Sequence, residues 1–253
     1  MKKLIDQRIV QEIIHCACEM NRLGINVNKS GNVSHRFVQN GVEGFLITPT
    51  GIPYECLQGN DIVFVPLTAH SLRDFSCKRI PSSEWQMHAE IYRNKADVTA
   101  VVHTHSVNAT ALACQEMAIP AFHYMVAVAG GEDIPCAPYA LFGTQELANQ
   151  CIKYLSDRKA CLLAHHGVIA TGSNLPEALR LAHEVENLAK SYILVRQLGE
   201  PKLLSKDQMQ LVICLLYTSD AADDLWKAKI IQLDRVGPNP MALQFLVLRK
   251  SRF

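Results

Sequence analysis

Apolar positions recur at helical spacing in several stretches of the chain. Ile5, Ile9, Ile13, Ala17 and Met20 form one stripe, which predicts an amphipathic N-terminal helix stopped by Gly24. Residues 106–116, 144–156 and 175–198 also read as helices. The last is the clearest. Ala178, Leu181, Ala182, Val185, Leu188, Ala189 and Tyr192 share its period, and Gly199 and Pro201 end it. Short apolar runs at 45–47, 62–65, 100–102 and 161–163 predict strands, the last two fully buried. Gly31, Gly41 and Gly44 are expected to mark turns around the first strands. The pattern is that of a mixed α/β domain. Its short, glycine-punctuated connections favour a mostly antiparallel sheet flanked by helices over a doubly wound one. No internal repeat or low-complexity stretch interrupts it.

Composition narrows the picture by exclusion. At 253 residues, 49% hydrophobic and 19% charged, the chain is long enough for one large domain or two small ones. A formal net charge of +1, with no basic stripe, gives no reason to expect nucleic acid or a membrane surface as partner. Asp6, Arg8, Glu12 and Glu19 interrupt any apolar leader after Lys2 and Lys3. The nine cysteines are odd in number and include no C-x-x-C pair, which argues against a disulfide framework and for a reducing cytoplasm.

The candidate chemistry begins with His103-Thr104-His105, at the end of the buried run 100–102. Side chains on a strand alternate, so His103 and His105 face the same way and supply half of a metal site. His165-His166 follows the other buried run, and adjacent residues face apart, so one of this pair is expected to join. The remaining histidines show no such pairing. Pro81-Ser82-Ser83-Glu84-Trp85-Gln86 looks like a helix entry, with Ser83 as cap, Gln86 closing a capping box and Glu84 in the first turn. Taken alone, Glu84 merely stabilises that turn. Beside a metal it could act as a general base, and the helix start with its two serines could hold a phosphate. Gly31 and Asn32 in S-G-N-V-S, and Thr50 and Gly51 in T-P-T-G, offer further turn-forming, hydrogen-bonding segments for a phosphate. No Walker or dinucleotide fingerprint is present.

Together these segments resemble the class II aldolase/adducin family over residues 4–212. The carriers are G-N-V-S at 31–34, L-I-T-P-T-G-I-P-Y-E at 46–55, P-S-S-E-W at 81–85 and A-V-V-H-T-H at 100–105. I-P-A-F-H-Y-M at 119–125, A-G-G-E-D-I-P-C-A-P-Y-A at 129–140, H-H-G at 165–167 and A-H-E-V-E at 182–186 complete them. The resemblance implies one zinc ion per chain on His103, His105 and His166, with Glu84 as acid/base and as a fourth ligand at rest. It implies phosphate binding by Gly31, Asn32, Thr50, Gly51, Ser82 and Ser83. It also implies a homotetramer in which Tyr124 reaches a neighbour's site. The reaction implied is cleavage of L-fuculose 1-phosphate, or a similar phosphorylated ketose, to dihydroxyacetone phosphate and L-lactaldehyde through a zinc-stabilised enediolate. A Schiff-base route has no support, since no lysine stands in a buried run. A ribulose-phosphate 4-epimerase or a phosphopentose dehydratase is the alternative within the family. A non-catalytic adducin-like module is disfavoured, because it predicts lost metal ligands. His183 and Glu184 read as structural.

The resemblance stops near Ile213. Residues 214–224, C-L-L-Y-T-S-D-A-A-D-D, read like a translated adapter junction, so 1–213 is expected to be the aldolase-like domain and 214–253 a foreign tail. In resembling aldolases an aromatic residue of the C-terminal segment approaches the active site, a role not assigned to Tyr217. Leu243, Phe245, Leu246, Val247 and Leu248 form an apolar run that could be a strand.

Overall fold

A computed structural model describes residues 7–221. Ile5, the two N-terminal lysines, the side chain of Tyr217 and the apolar run near 245 lie outside what it describes. Among the described residues seven strands form one sheet: β1 (Asn32–Gln39), β2 (Val42–Ile47), β3 (Val63–Pro66), β4 (Ala100–Thr104), β5 (Cys136–Ala137), β6 (Ala160–Leu163) and β7 (Gly167–Gly172). Their order is β3-β2-β1-β4-β7-β6-β5. Every pairing is antiparallel except β5 with β6. This is the mixed, mostly antiparallel sheet that the short connections predict.

Helices cover both faces. Val33, Val102, Leu162, Val168 and Ala170 belong to a core shared with α1 (Gln7–Arg22), α3 (Val107–Cys114), α5 (Leu175–Leu198) and α6 (Lys206–Ala221). Val101, Cys161, Leu163 and Ile169 belong to a second core with α2 (Trp85–Asn94) and α4 (Gln145–Tyr154). Strand residues thus alternate between two apolar layers, which is why the central strands read as unbroken apolar runs. Each buried Val or Leu contributes roughly 1.5–3 kcal/mol.

One reading of a turn changes. Gly44 lies inside β2, where a Cβ would collide with the Val65 carbonyl and the Phe64 ring, so it marks a close approach and not a turn. Gly41, at φ +82°, does form the β1–β2 turn. Strand β1 was not legible as a run because polar Asn32 and Ser34 occupy buried positions on it. Helix α6 runs across the expected boundary at 213, with Met209 buried and Val212 and Ile213 packed on the first core.

Candidate active site

The site forms where one end of the sheet meets the start of α2. On β1, Asn32 stands opposite His103 of β4, so the two side chains share a face. Val102 points into the first core and His103 therefore into the other layer. His105 lies just past the strand end. The three-residue loop between β6 and β7 brings in His166. His165, at φ +54°, takes the left-handed conformation that turns the chain there. It lines the rim of the cleft, with Nε2 3.4 Å from Glu116. The choice that spacing left open between His165 and His166 is therefore made by the turn.

The helix entry differs from the expected capping box. Glu84 itself occupies the N-cap position of α2 and makes no capping bond with its side chain. The carboxylate turns to the histidines instead. Its Oε2 lies 3.0 Å from His103 Nε2 and its Oε1 3.0 Å from His166 Nε2. Gln86 donates to the His70 carbonyl rather than closing a box.

One ligand atom from each of Glu84, His103, His105 and His166 lies within 4.8 Å of the others. The three rings stand nearly perpendicular at centroid distances of 4.8–4.9 Å. His103 Nδ1 is 2.8 Å from the Val168 carbonyl, which can only accept, so Nδ1 carries the proton and Nε2 faces inward. That Nε2 lies 2.9 Å from His105 Nε2. Glu84 Oε1 and His166 Nδ1 are buried without a hydrogen bond. Nitrogen lone pairs and a carboxylate converging without enough protons to pair them are the signature of a cation site. Three imidazoles and a carboxylate suit a divalent transition metal. These residues form the divalent metal site of the protein.

Burial raises the Glu84 carboxyl, but facing His103 and His166 outweigh it and hold the group well below the usual carboxylate range. Burial, then the neighbouring His103 and His166, lowers His105 to about 3, leaving it a neutral ligand.

A cleft of about 360 Å³ opens above the cluster, lined by Ser30, Ser83, Glu84, His105, Tyr139, Ala140, Phe142, His165 and His166. That is the size of a small-molecule site. The expected phosphate segments meet beside it. Thr50 N–H donates to the Ile80 carbonyl, Ser82 N–H to the Thr48 carbonyl, and Val33 N–H to Thr48 Oγ1. Gly51 takes φ +81° and its carbonyl receives the Lys29 ammonium at 3.0 Å. Ser83 is exposed and Ser82 buried. The amide of Asn32 is engaged by Glu84 at 3.0 Å and by His88. Tyr124 is half-exposed on a separate 3-10 turn and does not line this cleft.

Several contributors escaped the sequence reading. Tyr139 and Phe142 carry the apolar side of the mouth. Glu186 of α5 accepts Asn108 and Ala109 N–H at 3.0 and 2.9 Å, clamping the start of α3 just behind His105. His88 had no sequence partner, yet it lies one helical turn beyond Glu84. That i, i+4 spacing was the available signal.

The family model for the class II aldolase and adducin N-terminal domain matches residues 11–193. The chain is 45% identical over 207 residues to the L-fuculose phosphate aldolase of Escherichia coli (strain K12), covering 81% of this chain and 93% of that one. It is 47% identical over 201 residues to the 5-methylthioribulose-1-phosphate/5-deoxyribulose-1-phosphate aldolase of Rhodospirillum rubrum, covering 79% and 87%. A solved L-fuculose 1-phosphate aldolase superposes with a TM-score of 0.78 at 36% identity, covering 85% of this chain and 98% of that one.

Proposed function

The chain belongs to the class II aldolase and adducin family and is a metal-dependent carbon–carbon lyase, and we propose that it splits 2-ketose 1-phosphates between C3 and C4, with L-fuculose 1-phosphate as the first substrate. The observation that carries this reading is the convergence of three histidines and Glu84 beneath a cleft flanked by the serine- and glycine-bearing segments. Zinc, one per chain, is the proposed ion, and when bound it supplies a Lewis acid for the negative charge that develops on the substrate oxygens.

The protein's own residues do the rest. Gly31, Asn32, Thr50, Gly51, Ser82 and Ser83 form the phosphate cradle, and Lys29 brings a positive charge to its edge. Holding the phosphate fixes which carbon meets the carboxylate. Glu84, buried beside the ligands, is the group placed to move the proton at C3. Breaking the C3–C4 bond leaves its electron pair on C3. Protonation there yields dihydroxyacetone phosphate, and the C4 hydroxyl oxygen becomes the aldehyde oxygen. Tyr124, exposed on the surface, is assigned to the proton on that oxygen in a neighbouring subunit of a homotetramer. All ligands are in place, which disfavours a non-catalytic module. Among the described residues no helix is long and apolar enough to cross a membrane, and the reducing cytoplasm is the proposed location.

A second reading concerns the aldehyde half. L-fuculose 1-phosphate leaves lactaldehyde, which carries a hydroxyl beside its carbonyl, whereas 5-deoxyribulose and 5-methylthioribulose 1-phosphates leave acetaldehyde and methylthioacetaldehyde, which have none. The Rhodospirillum rubrum relative supports the latter pair, as do the apolar Tyr139 and Phe142 at the cleft mouth. This alternative takes the place of the epimerase and dehydratase readings. The test is release of dihydroxyacetone phosphate from all three sugar phosphates, with chelator and with zinc restored. Zinc-dependent release establishes the reaction and the ratio of kcat/KM values ranks the substrates. A metal-loaded protein that releases nothing from any of them refutes it.

A further inference from the structure

Behind Glu84 and Asn32 lie three buried polar side chains, His88, Ser34 and Tyr92, that metal binding and the phosphate cradle leave unexplained. At the N-cap and along α2, Glu84, His88 and Tyr92 are spaced by four residues and form one stripe. On β1, Asn32 and Ser34 are spaced by two and form one face. The two periods interlock. Asn32 Nδ2 donates to Glu84 Oε2 at 3.0 Å, and Asn32 Oδ1 lies 2.5 Å from His88 Nε2. His88 Nδ1 lies 2.6 Å from Ser34 Oγ, which lies 2.8 Å from the Tyr92 hydroxyl. His88 and Ser34 are completely buried, Asn32 and Tyr92 each 2% exposed.

Only one polarity of this chain agrees with an ionised Glu84. The carboxylate accepts, so Asn32 must turn its NH₂ toward it and its oxygen toward His88. His88 Nε2 must then donate and, in a neutral ring, Nδ1 must accept. Burial, with His103 adding to it, lowers His88 to about 3 and keeps the ring neutral. Ser34 must therefore donate to His88 and accept from Tyr92. Each donor points toward Glu84. With the opposite tautomer of His88, the Asn32 oxygen would face the carboxylate, two acceptors 3.0 Å apart.

We propose that His88, Ser34 and Tyr92 are positioning residues that fix the orientation of the Asn32 amide and, through it, hold the Glu84 carboxylate in place among the metal ligands. The inference rests on Glu84 being a ligand at rest, and not on which sugar the enzyme cleaves. Partners behind metal ligands typically matter by about 10- to 100-fold in metal affinity.

The test uses the full chain loaded with cobalt in the absence of substrate. Its visible spectrum reports the ligand set, and competition with a chelator gives the affinity. His88→Phe keeps the volume and removes the donor to Asn32. His88→Gln keeps an N–H at similar reach. Glu84→Gln marks the loss of the carboxylate. His88→Phe is expected to lose about 10- to 100-fold in cobalt affinity and to take on the Glu84→Gln spectrum. His88→Gln is expected to keep the wild-type spectrum. Ser34→Ala, a smaller change in case the Phe variant fails to fold, should weaken binding in the same direction. Wild-type affinity and spectrum in a folded His88→Phe or in Ser34→Ala overturn the proposal, as does a His88→Gln variant as impaired as His88→Phe. Wild-type protein that binds cobalt, with the expected variant series, but releases no dihydroxyacetone phosphate defeats the aldolase reading and supports the positioning role. Wild-type protein that binds no cobalt overturns both.

Discussion

Gly167→Ala should weaken metal binding without replacing a single ligand. Gly167 opens β7 directly after His166, and its φ is ordinary, so alanine carries no backbone strain there. The difficulty is space. A Cβ at this position would sit 2.4 Å from the Thr104 carbonyl oxygen, 3.1 Å from His105 Cδ2 and 3.4 Å from His103 Cε1. Relief to 3.0 Å, the closest approach that real Cβ atoms show, requires a displacement of about 0.6 Å between the ends of β4 and β7. Those ends carry His103, His105 and His166. Metal–ligand distances tolerate about 0.2 Å, so the shift exceeds the margin roughly threefold. Overpacking of this kind costs about 1–3 kcal/mol of stability, a melting-point loss of a few degrees. Zinc affinity should fall by about tenfold or more, and kcat/KM at limiting zinc should fall with it.

The assay is zinc content after dialysis against a graded chelator, read beside the thermal melt. Val168→Ala is the control. It removes side chain from the other face of the same strand, where Val168 is fully buried in the first core, at a cost on the order of 2 kcal/mol. Its backbone carbonyl still holds His103. Equal melting-point losses with unequal zinc affinity would isolate the steric effect on the ligands. A Gly167→Ala protein with wild-type zinc affinity would refute the account of how the strand ends set the site.

Three further outcomes follow from the same geometry. Glu84→Gln at saturating zinc should lower kcat by ~10²–10⁴-fold while dihydroxyacetone phosphate still binds, and kcat within about tenfold of wild type would remove Glu84 as the proton carrier. Glu177 accepts Ser173 N–H and O–H and faces Lys159. Burial raises its carboxyl, yet these partners prevail and hold it below its ordinary value of 4.5. Its contribution to stability is therefore complete above about pH 4.5 and is lost as pH falls through the lower folded value. The melting-point gap between wild type and Glu177→Gln should close in that acid window, and a gap that widens there would be contrary to the sign. For the proposed domain boundary, a chain ended after Ile213 keeps buried Met209 and should melt with the full chain and cleave at least as fast. Limited proteolysis should trim the full chain to about that length. A tail that resists protease and is needed for activity would show it to be part of the enzyme.

The elements legible in the sequence are those whose apolar residues answer to one period. α5 is read to its ends because Ala178, Leu181, Ala182, Val185, Leu188 and Ala189 all face one core. β4 and β6 are read because both of their faces are apolar. β1 is missed because its second-layer face carries Asn32 and Ser34, whose burial makes sense only beside His88 and Tyr92 from another element. The capping reading of P-S-S-E-W-Q fails for a related reason. Local preference favours Ser83 as cap, but the histidine cluster is a stronger partner for Glu84 than any backbone N–H of its own helix, and it draws the carboxylate away. Local rules break here at the functional site, where tertiary partners outbid them.

The same coincidence of periods explains why the site sits at this end of the sheet. A strand face repeats every second residue and a helix stripe every fourth, so a strand lying under a helix can pair with it only over a few positions. Here the register places Asn32 opposite His103 and Ser34 opposite Val101. The first pair can therefore serve the ligands while Ser34 serves the helix. A slip of one residue on β1 would turn Val33 toward His103 and put both Asn32 and Ser34 into the first core, on the side of Val102. That register would strand two polar groups and strip Glu84 of its donor at once. The polar file thus has two consequences. It orients the carboxylate, and it penalises a one-residue slip of β1.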